Sequence, residues 1–263
     1  MSETWLFMGN PGTGKSTLLN CLASFAAFRS GMSYGGGLTR STQAVTDANG
    51  IVYMDTPGLA DLTAEQFAAE AITRALRSGN GRFKLCFFVR LESGRVVSED
   101  LVTMERVLDS LRVPNVPFGI IINNINASSY SRLAAQQWEF QRVVTLLNSG
   151  KYSTPHLLFI PKFTPLVEAD DCIIDLPRDI RASIEQFPTV VIPRAAVDNI
   201  WTPSFAVAAE QTKFKLEAIQ TNERELQVVR HDLGRRHTNF WAVTMTALDA
   251  IGQIAEFANN LLA

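Results

Sequence analysis

The run Gly9-Asn10-Pro11-Gly12-Thr13-Gly14-Lys15-Ser16 has the pattern G-x-x-x-x-G-K-S. Before it stands the apolar segment Thr4-Trp5-Leu6-Phe7-Met8, and after it Thr17-Leu18-Leu19-Asn20. A strand, a glycine-rich turn and a helix are therefore expected in that order. The glycines let the backbone curl so that successive N–H groups point inward. The helix N-terminus adds its positive dipole end. The result is an anion cradle built from Asn10, Gly12, Thr13, Gly14, Lys15, Ser16 and Thr17. It suits the α- and β-phosphates of a nucleotide. Lys15 supplies a point charge to the β- and γ-phosphates, and the Ser16 hydroxyl is placed to ligate Mg²⁺.

Forty residues beyond Lys15, Asp55-Thr56-Pro57-Gly58 ends the apolar run Ile51-Val52-Tyr53-Met54. Asp55 fits a Mg²⁺-holding carboxylate, and the Gly58 N–H can meet a γ-phosphate. Upstream, Gln43-Ala44-Val45-Thr46 is joined to this run through Asp47-Ala48-Asn49-Gly50, a strong hairpin signal. An antiparallel hairpin feeding the Asp strand is the layout of switch GTPases. The segment from Met32 to Thr42 contains three consecutive glycines and occupies the place of a first switch loop. Such a loop supplies a threonine to Mg²⁺ and the γ-phosphate. Thr39 is the first choice and Thr42 the second.

The stretch Phe87-Phe88-Val89-Arg90-Leu91-Glu92-Ser93-Gly94-Arg95-Val96-Val97-Ser98-Glu99-Asp100 narrows the comparison. A strand followed by Gly-Arg-x-x-x-Glu-Asp opening a helix resembles the immunity-associated nucleotide-binding proteins. These are relatives of septins and of chloroplast-import receptor GTPases. The resemblance covers about residues 4–190. It implies a Ras-like fold, slow hydrolysis, nucleotide-dependent dimerisation, and frequent membrane or scaffold roles. Arg95 then becomes a dimer-face arginine able to reach a partner's phosphates. Ser98 reads as the N-cap of the helix, with Glu99 and Asp100 in its first turn.

Two positions depart from the usual guanine-nucleotide pattern. The strand Phe118-Gly119-Ile120-Ile121-Ile122 leads to Asn123-Asn124-Ile125-Asn126, where Asn-Lys-x-Asp is usual. Asn123 and Asn126 are the base-contacting candidates. A carboxylate accepts both N–H groups of the guanine edge, whereas an amide accepts one and presents a donor to the other. After Gly58 the chain reads Leu59-Ala60-Asp61-Leu62-Thr63, with no glutamine to orient water. Hydrolysis is expected to be slow, or completed by a second protomer. A nucleotide-stabilised assembly or host-interaction module with little turnover is one alternative. A phosphate-loop ATPase with altered base specificity is another.

The expected architecture is α/β: a Ras-like G domain with a mostly parallel sheet flanked by helices, plus a C-terminal helical extension. Helices are expected over 62–77, 100–111, 131–147 and 180–186, with a strand at 157–160. Pro188, Pro193 and Pro203 mark a change of character. The division is a G domain over 1–190, a proline-containing connection over 191–203, and helices over 204–263. Thr212, Leu216, Ile219, Leu226 and Leu233 form one stripe of a first helix. Phe240 through Leu262 present a broad apolar face that must be covered. It could pack on the G domain, form a dimer or oligomer seam, or touch a membrane. Lys and Arg are absent after Arg236, which weakens the membrane option.

The 24 basic and 26 acidic residues leave a net charge of −2, which argues against nucleic acid as a partner. The expected ligands are GTP or GDP with Mg²⁺, and the expected protein partner is a second copy of the chain. Cys21, Cys86 and Cys172 are widely spaced and odd in number, which fits a reducing compartment. With neither a signal peptide nor a lipidation box read at the ends, a cytoplasmic location is expected.

Overall fold

A computed structural model describes residues 3–31, 38–39, 41–60, 64–78, 81–135 and 137–221. The first strand, β1 (Thr4–Met8), runs into helix α1 (Lys15–Ala23). The hairpin follows as β2 (Gln43–Thr46) and β3 (Val52–Asp55), antiparallel with Val45 opposite Tyr53. Then come α2 (Glu65–Ser78), β4 (Arg82–Val89), a small hairpin of β5 (Leu91–Glu92) and β6 (Arg95–Val96), and α3 (Ser98–Asp109). The second half contains β7 (Gly119–Ile125), α4 (Ala127–Ala135), α5 (Gln137–Leu147), β8 (Leu157–Pro161), α6 (Pro165–Glu168), α7 (Arg178–Glu185), β9 (Val190–Val191) and α8 (Phe205–Thr221).

The sheet order is β2-β3-β1-β4-β7-β8, with β9 added to β4. Among the described residues of this sheet, only the β2–β3 and β4–β9 pairs are antiparallel. β7 covers Cys86–Val89 of β4, and β9 pairs with its first two residues, Arg82 and Phe83. The central strands are apolar on both faces, as a sheet wrapped by helices requires. Leu6 and Met8 face one core with Phe87, Ile120 and Ile122. Trp5 and Phe7 face the other with Leu18, Phe88 and Ile121. Strand–loop–helix order, parallel sheet and antiparallel hairpin together make this a Ras-like P-loop G-domain fold.

Several local expectations change. Helix α3 starts at Ser98, so Val97 is its N-cap residue, and no side chain caps that end. The Ser98 hydroxyl turns instead to Glu99 Oε2, at 3.1 Å. The helix expected over 131–147 is described as α4 up to Ala135 and α5 from Gln137. The first begins earlier because Asn126 caps it: Asn126 Oδ1 accepts the Ser129 N–H at 2.8 Å.

The proline-containing stretch is packed rather than loose. Val197 bridges to Leu111, and its carbonyl accepts two N–H groups of the Arg77 guanidinium. Helix α8 lies against α3, burying Phe205, Ala209, Leu216 and Ile219 in the same core as Leu6 and Met8. Lys215 of α8 also donates to the Ser149 carbonyl, and Arg142 of α5 donates to the Gln220 carbonyl of α8. Leu226, Leu233 and the apolar face from Phe240 lie outside the described residues. Among the described residues, no helix is long and apolar enough to cross a membrane.

Candidate functional site

The site sits where β1 turns into α1, at the carboxyl ends of the parallel strands. Gly14 holds the helix-start position at φ 82°. A Cβ there would lie 2.5 Å from Asn123 Nδ2, so conformation and space both demand glycine. Gly58 is equally confined: its Cβ would stand 2.4 Å from Pro11 Cδ and 2.7 Å from Asn10 Cα. The Asp-Thr-Pro-Gly turn is thus pressed directly onto the phosphate loop. An opening of about 470 Å³ lies above, lined by Gly12, Lys15, Thr17, Arg29, Asn124 and Asp170 among others.

Lys15 is 6% exposed, and its Nζ donates to the Asn10 carbonyl at 3.2 Å. Burial pulls its ammonium below the ordinary lysine value, against the opposing fields of Asp55 and Asp100. The Thr13 hydroxyl donates to the same carbonyl at 3.0 Å.

Three oxygen side chains meet beside this lysine. Ser16 Oγ donates to Asp55 Oδ2 at 2.6 Å, Thr39 Oγ1 donates to it at 3.0 Å, and the two hydroxyls are 3.3 Å apart. Asp55 is 1% exposed, and its second oxygen, Oδ1, is buried without a hydrogen-bond partner. Burial pushes this carboxyl above the usual carboxylate range, while Lys15, Ser16 and Thr39 hold it down. A buried carboxylate with an idle oxygen and two hydroxyls at its side is an all-oxygen donor set. That chemistry fits a hard divalent cation such as Mg²⁺. Thr42 is not part of it, because its hydroxyl donates to the Ala71 carbonyl on α2 at 3.1 Å.

The segment after β7 is shaped by a register break between Ile122 and Ile125. Asn123 turns its amide to the phosphate loop, donating to the Thr13 carbonyl at 3.1 Å. Asn124 takes a left-handed conformation, φ 57°, and lines the opening. Asn126 spends its side-chain oxygen on the N-cap of α4. Arg95 stands apart from these groups, exposed on β6. It lines a separate cleft of about 250 Å³ with Leu91, Arg132, Trp138 and Arg142.

Asp100, Arg90 and Thr103 are functional-site neighbours that the sequence reading missed. Asn10, fully buried, donates Nδ2 to Asp100 Oδ1 at 2.8 Å. Its Oδ1 accepts from Thr103 Oγ1 at 2.9 Å and from the Ala60 N–H at 3.0 Å. Asp100 in turn accepts from the backbone N–H, Nε and Nη2 of Arg90. In the sequence, Asp100 looked like an ordinary first-turn acid. Nothing in its spacing marked it as buried.

Residues 4–124, somewhat under half of the chain, match the family model described as 50S ribosome-binding GTPase. None of the curated proteins matches the chain. Among solved structures, Era in complex with MgGDPNP and nucleotides of 16S ribosomal RNA is similar, at 20% identity and a TM-score of 0.44. That match covers 72% of this chain and 58% of the Era chain. Era from Aquifex aeolicus bound to GDP·AlF4⁻ gives 18% identity and 0.45, covering 79% of this chain and 65% of that one. Toc33 from Arabidopsis thaliana with GDP and Mg²⁺ gives 15% identity and 0.39, covering 62% and 72%. The chain thus spans less than two thirds of the two Era chains. The family match over 4–124 and the fold support a GTP-binding P-loop GTPase domain.

Proposed function

We propose that this chain is a Mg²⁺-dependent guanine-nucleotide switch with slow GTP hydrolysis. One observation carries the reading: Ser16, Thr39 and Asp55 converge at the phosphate loop with Asp55 Oδ1 unpartnered. The three come from α1, the segment before β2, and the end of β3. Their meeting point makes sense as a metal site beside a triphosphate.

In this reading the N–H groups of Gly12 to Thr17 hold the phosphates, and Lys15 leaves the Asn10 carbonyl for the β- and γ-oxygens. Ser16, Thr39 and Asp55 hold Mg²⁺, which when bound neutralises charge developing between the β- and γ-phosphates. The Gly58 N–H meets the γ-phosphate, and Thr39 ties the first switch loop to the loaded state. Asn123 braces the phosphate loop from the base side. Leu59 and Ala60 carry no group that could orient water, which is why hydrolysis is slow.

Arg95 lies outside the opening of its own site, so only a second copy could bring it to a phosphate. A nucleotide-dependent homodimer belongs to the proposal on that ground. Kinship with the immunity-associated proteins rests on the box from Gly94 to Asp100 alone. A cytoplasmic setting is likewise proposed.

Titration with labelled GDP, ADP and xanthosine diphosphate in the presence of Mg²⁺ tests the reading. Expected is tightest binding of GDP, lost in Lys15→Ala. Tighter binding of ADP than GDP would overturn it in favour of an ATP-using protein. Full nucleotide affinity with no measurable hydrolysis would favour the assembly module.

A further inference from the structure

Asn10 is the second residue of the phosphate loop, yet its side chain points away from the ligand opening and into the protein. Its amide is a junction. On one side lies Asp100, whose side chain is 0% exposed. On the other lies the backbone N–H of Ala60, two residues past Gly58. We propose that Arg90, Asp100 and Asn10 form a positioning relay. It sets the backbone of residues 58–60 against the phosphate loop, so the Gly58 N–H is in place before a terminal phosphate arrives. The inference rests on the triphosphate-switch reading above.

The direction of every bond in the relay is chemically determined. Arg90 can only donate, and it gives three N–H groups to Asp100. An ionised carboxylate can only accept, so Asn10 must turn its Nδ2 toward Asp100. That leaves Oδ1 facing the Ala60 N–H. The contact matters because Gly58 has no slack: a Cβ on it would be within 3 Å of both Pro11 and Asn10. Pinning Ala60 therefore pins Gly58.

Asp100→Asn tests the logic with little change in size. Arg90 would hold the new amide by its oxygen, turning its NH₂ toward Asn10. Asn10 must then flip to accept, and its own NH₂ would confront the Ala60 N–H. The relay is inverted without a cavity. The readout is the ratio of affinities for a nonhydrolysable GTP analogue and for GDP, measured with fluorescent nucleotides and Mg²⁺. A merely structural role would weaken both ligands together.

Expected for Asp100→Asn is a fall of about tenfold or more in the triphosphate-to-diphosphate ratio, equivalent to one lost buried hydrogen bond. GDP affinity itself should stay within roughly threefold, since the phosphate cradle is untouched. Thr103→Val removes the other donor to Asn10 Oδ1 but leaves the amide orientation, and it should keep the wild-type ratio. Should Asp100→Asn fail to fold, Asn10→Ser leaves the Arg90–Asp100 pair intact and must show the same fall. An unchanged ratio in the folded variant, or an equal loss for both nucleotides, overturns the relay. Wild-type protein without any triphosphate preference would sink the switch reading and the relay with it. A preference that survives the variants sinks the relay alone.

Discussion

Asn126 Oδ1 accepts the backbone N–H of Ser129 at 2.8 Å and closes the first turn of α4. The side chain expected from the sequence to contact the base is thereby engaged as a helix cap. Asn126→Ala should lower unfolding stability by about 1 kcal/mol, the usual worth of such a cap. GDP affinity should change by less than roughly threefold, because little base recognition is lost. Denaturant unfolding and nucleotide titration of the same variant check both halves. A large loss of GDP binding with unchanged stability would contradict the capping role.

Thr39 and Thr42 should separate cleanly. Thr39 touches Asp55 and Ser16, whereas Thr42 is bonded to the Ala71 carbonyl. Thr39→Ala should weaken Mg²⁺-dependent triphosphate binding about tenfold, as expected for loss of a hydrogen bond to a charged group. Thr42→Ala should leave that affinity unchanged and cost about 1 kcal/mol of stability. Titrations with and without a chelator distinguish the two.

Asp55 makes the protein without ligand sensitive to pH. Burial raises its folded-state value, so the folded protein holds that proton more tightly than the unfolded chain does. Its contribution to stability is full below the ordinary aspartate value, about 3.9. It is lost as pH rises through the raised folded value. Bound Mg²⁺ needs the ionised form and relieves the cost. The rise in melting temperature on adding Mg²⁺ and GDP should therefore be larger at pH 7.5 than at pH 4.5. Equal rises at both values would show that Asp55 is not the metal-holding group.

Leu216 is 4% exposed on α8, within the core that also holds Leu6 and Met104. Leu216→Ala should destabilise the whole domain by about 2–5 kcal/mol, the range for a buried leucine truncated to alanine. Urea unfolding should show a single transition shifted to lower denaturant. A separate early transition, with the main one unmoved, would instead make α8 an independent appendage.

Much of this arrangement was legible in the chain. The phosphate loop, the Asn-Gly hairpin and Asp55 each carry their own local signature, because glycine conformations and strand alternation are written in a few adjacent residues. The choice of Thr39 over Thr42 was legible only as an order of preference. What favours Thr39 in the proposed site is the hydrogen bond of Thr42 to α2, a contact between distant segments. Asn126 has a second use that the sequence did not show: amides serve caps and ligands alike, and only the start of α4 reveals the capping bond. Asp100 was hidden more deeply. A carboxylate in a first helical turn usually faces water, and its burial here depends on Arg90 arriving from the end of β4 and Asn10 from the phosphate loop.

The lean of α8 on α3 has a bearing on how the protein is made. A chain emerging amino end first exposes its phosphate loop, hairpin and central strands long before Phe205 appears. Until then α3, the helix that carries Asp100 and Thr103, lacks the cover it has in the finished domain. Until that point the nascent domain is an incomplete fold, open to premature association. The phosphate loop emerges well before the helix that steadies α3.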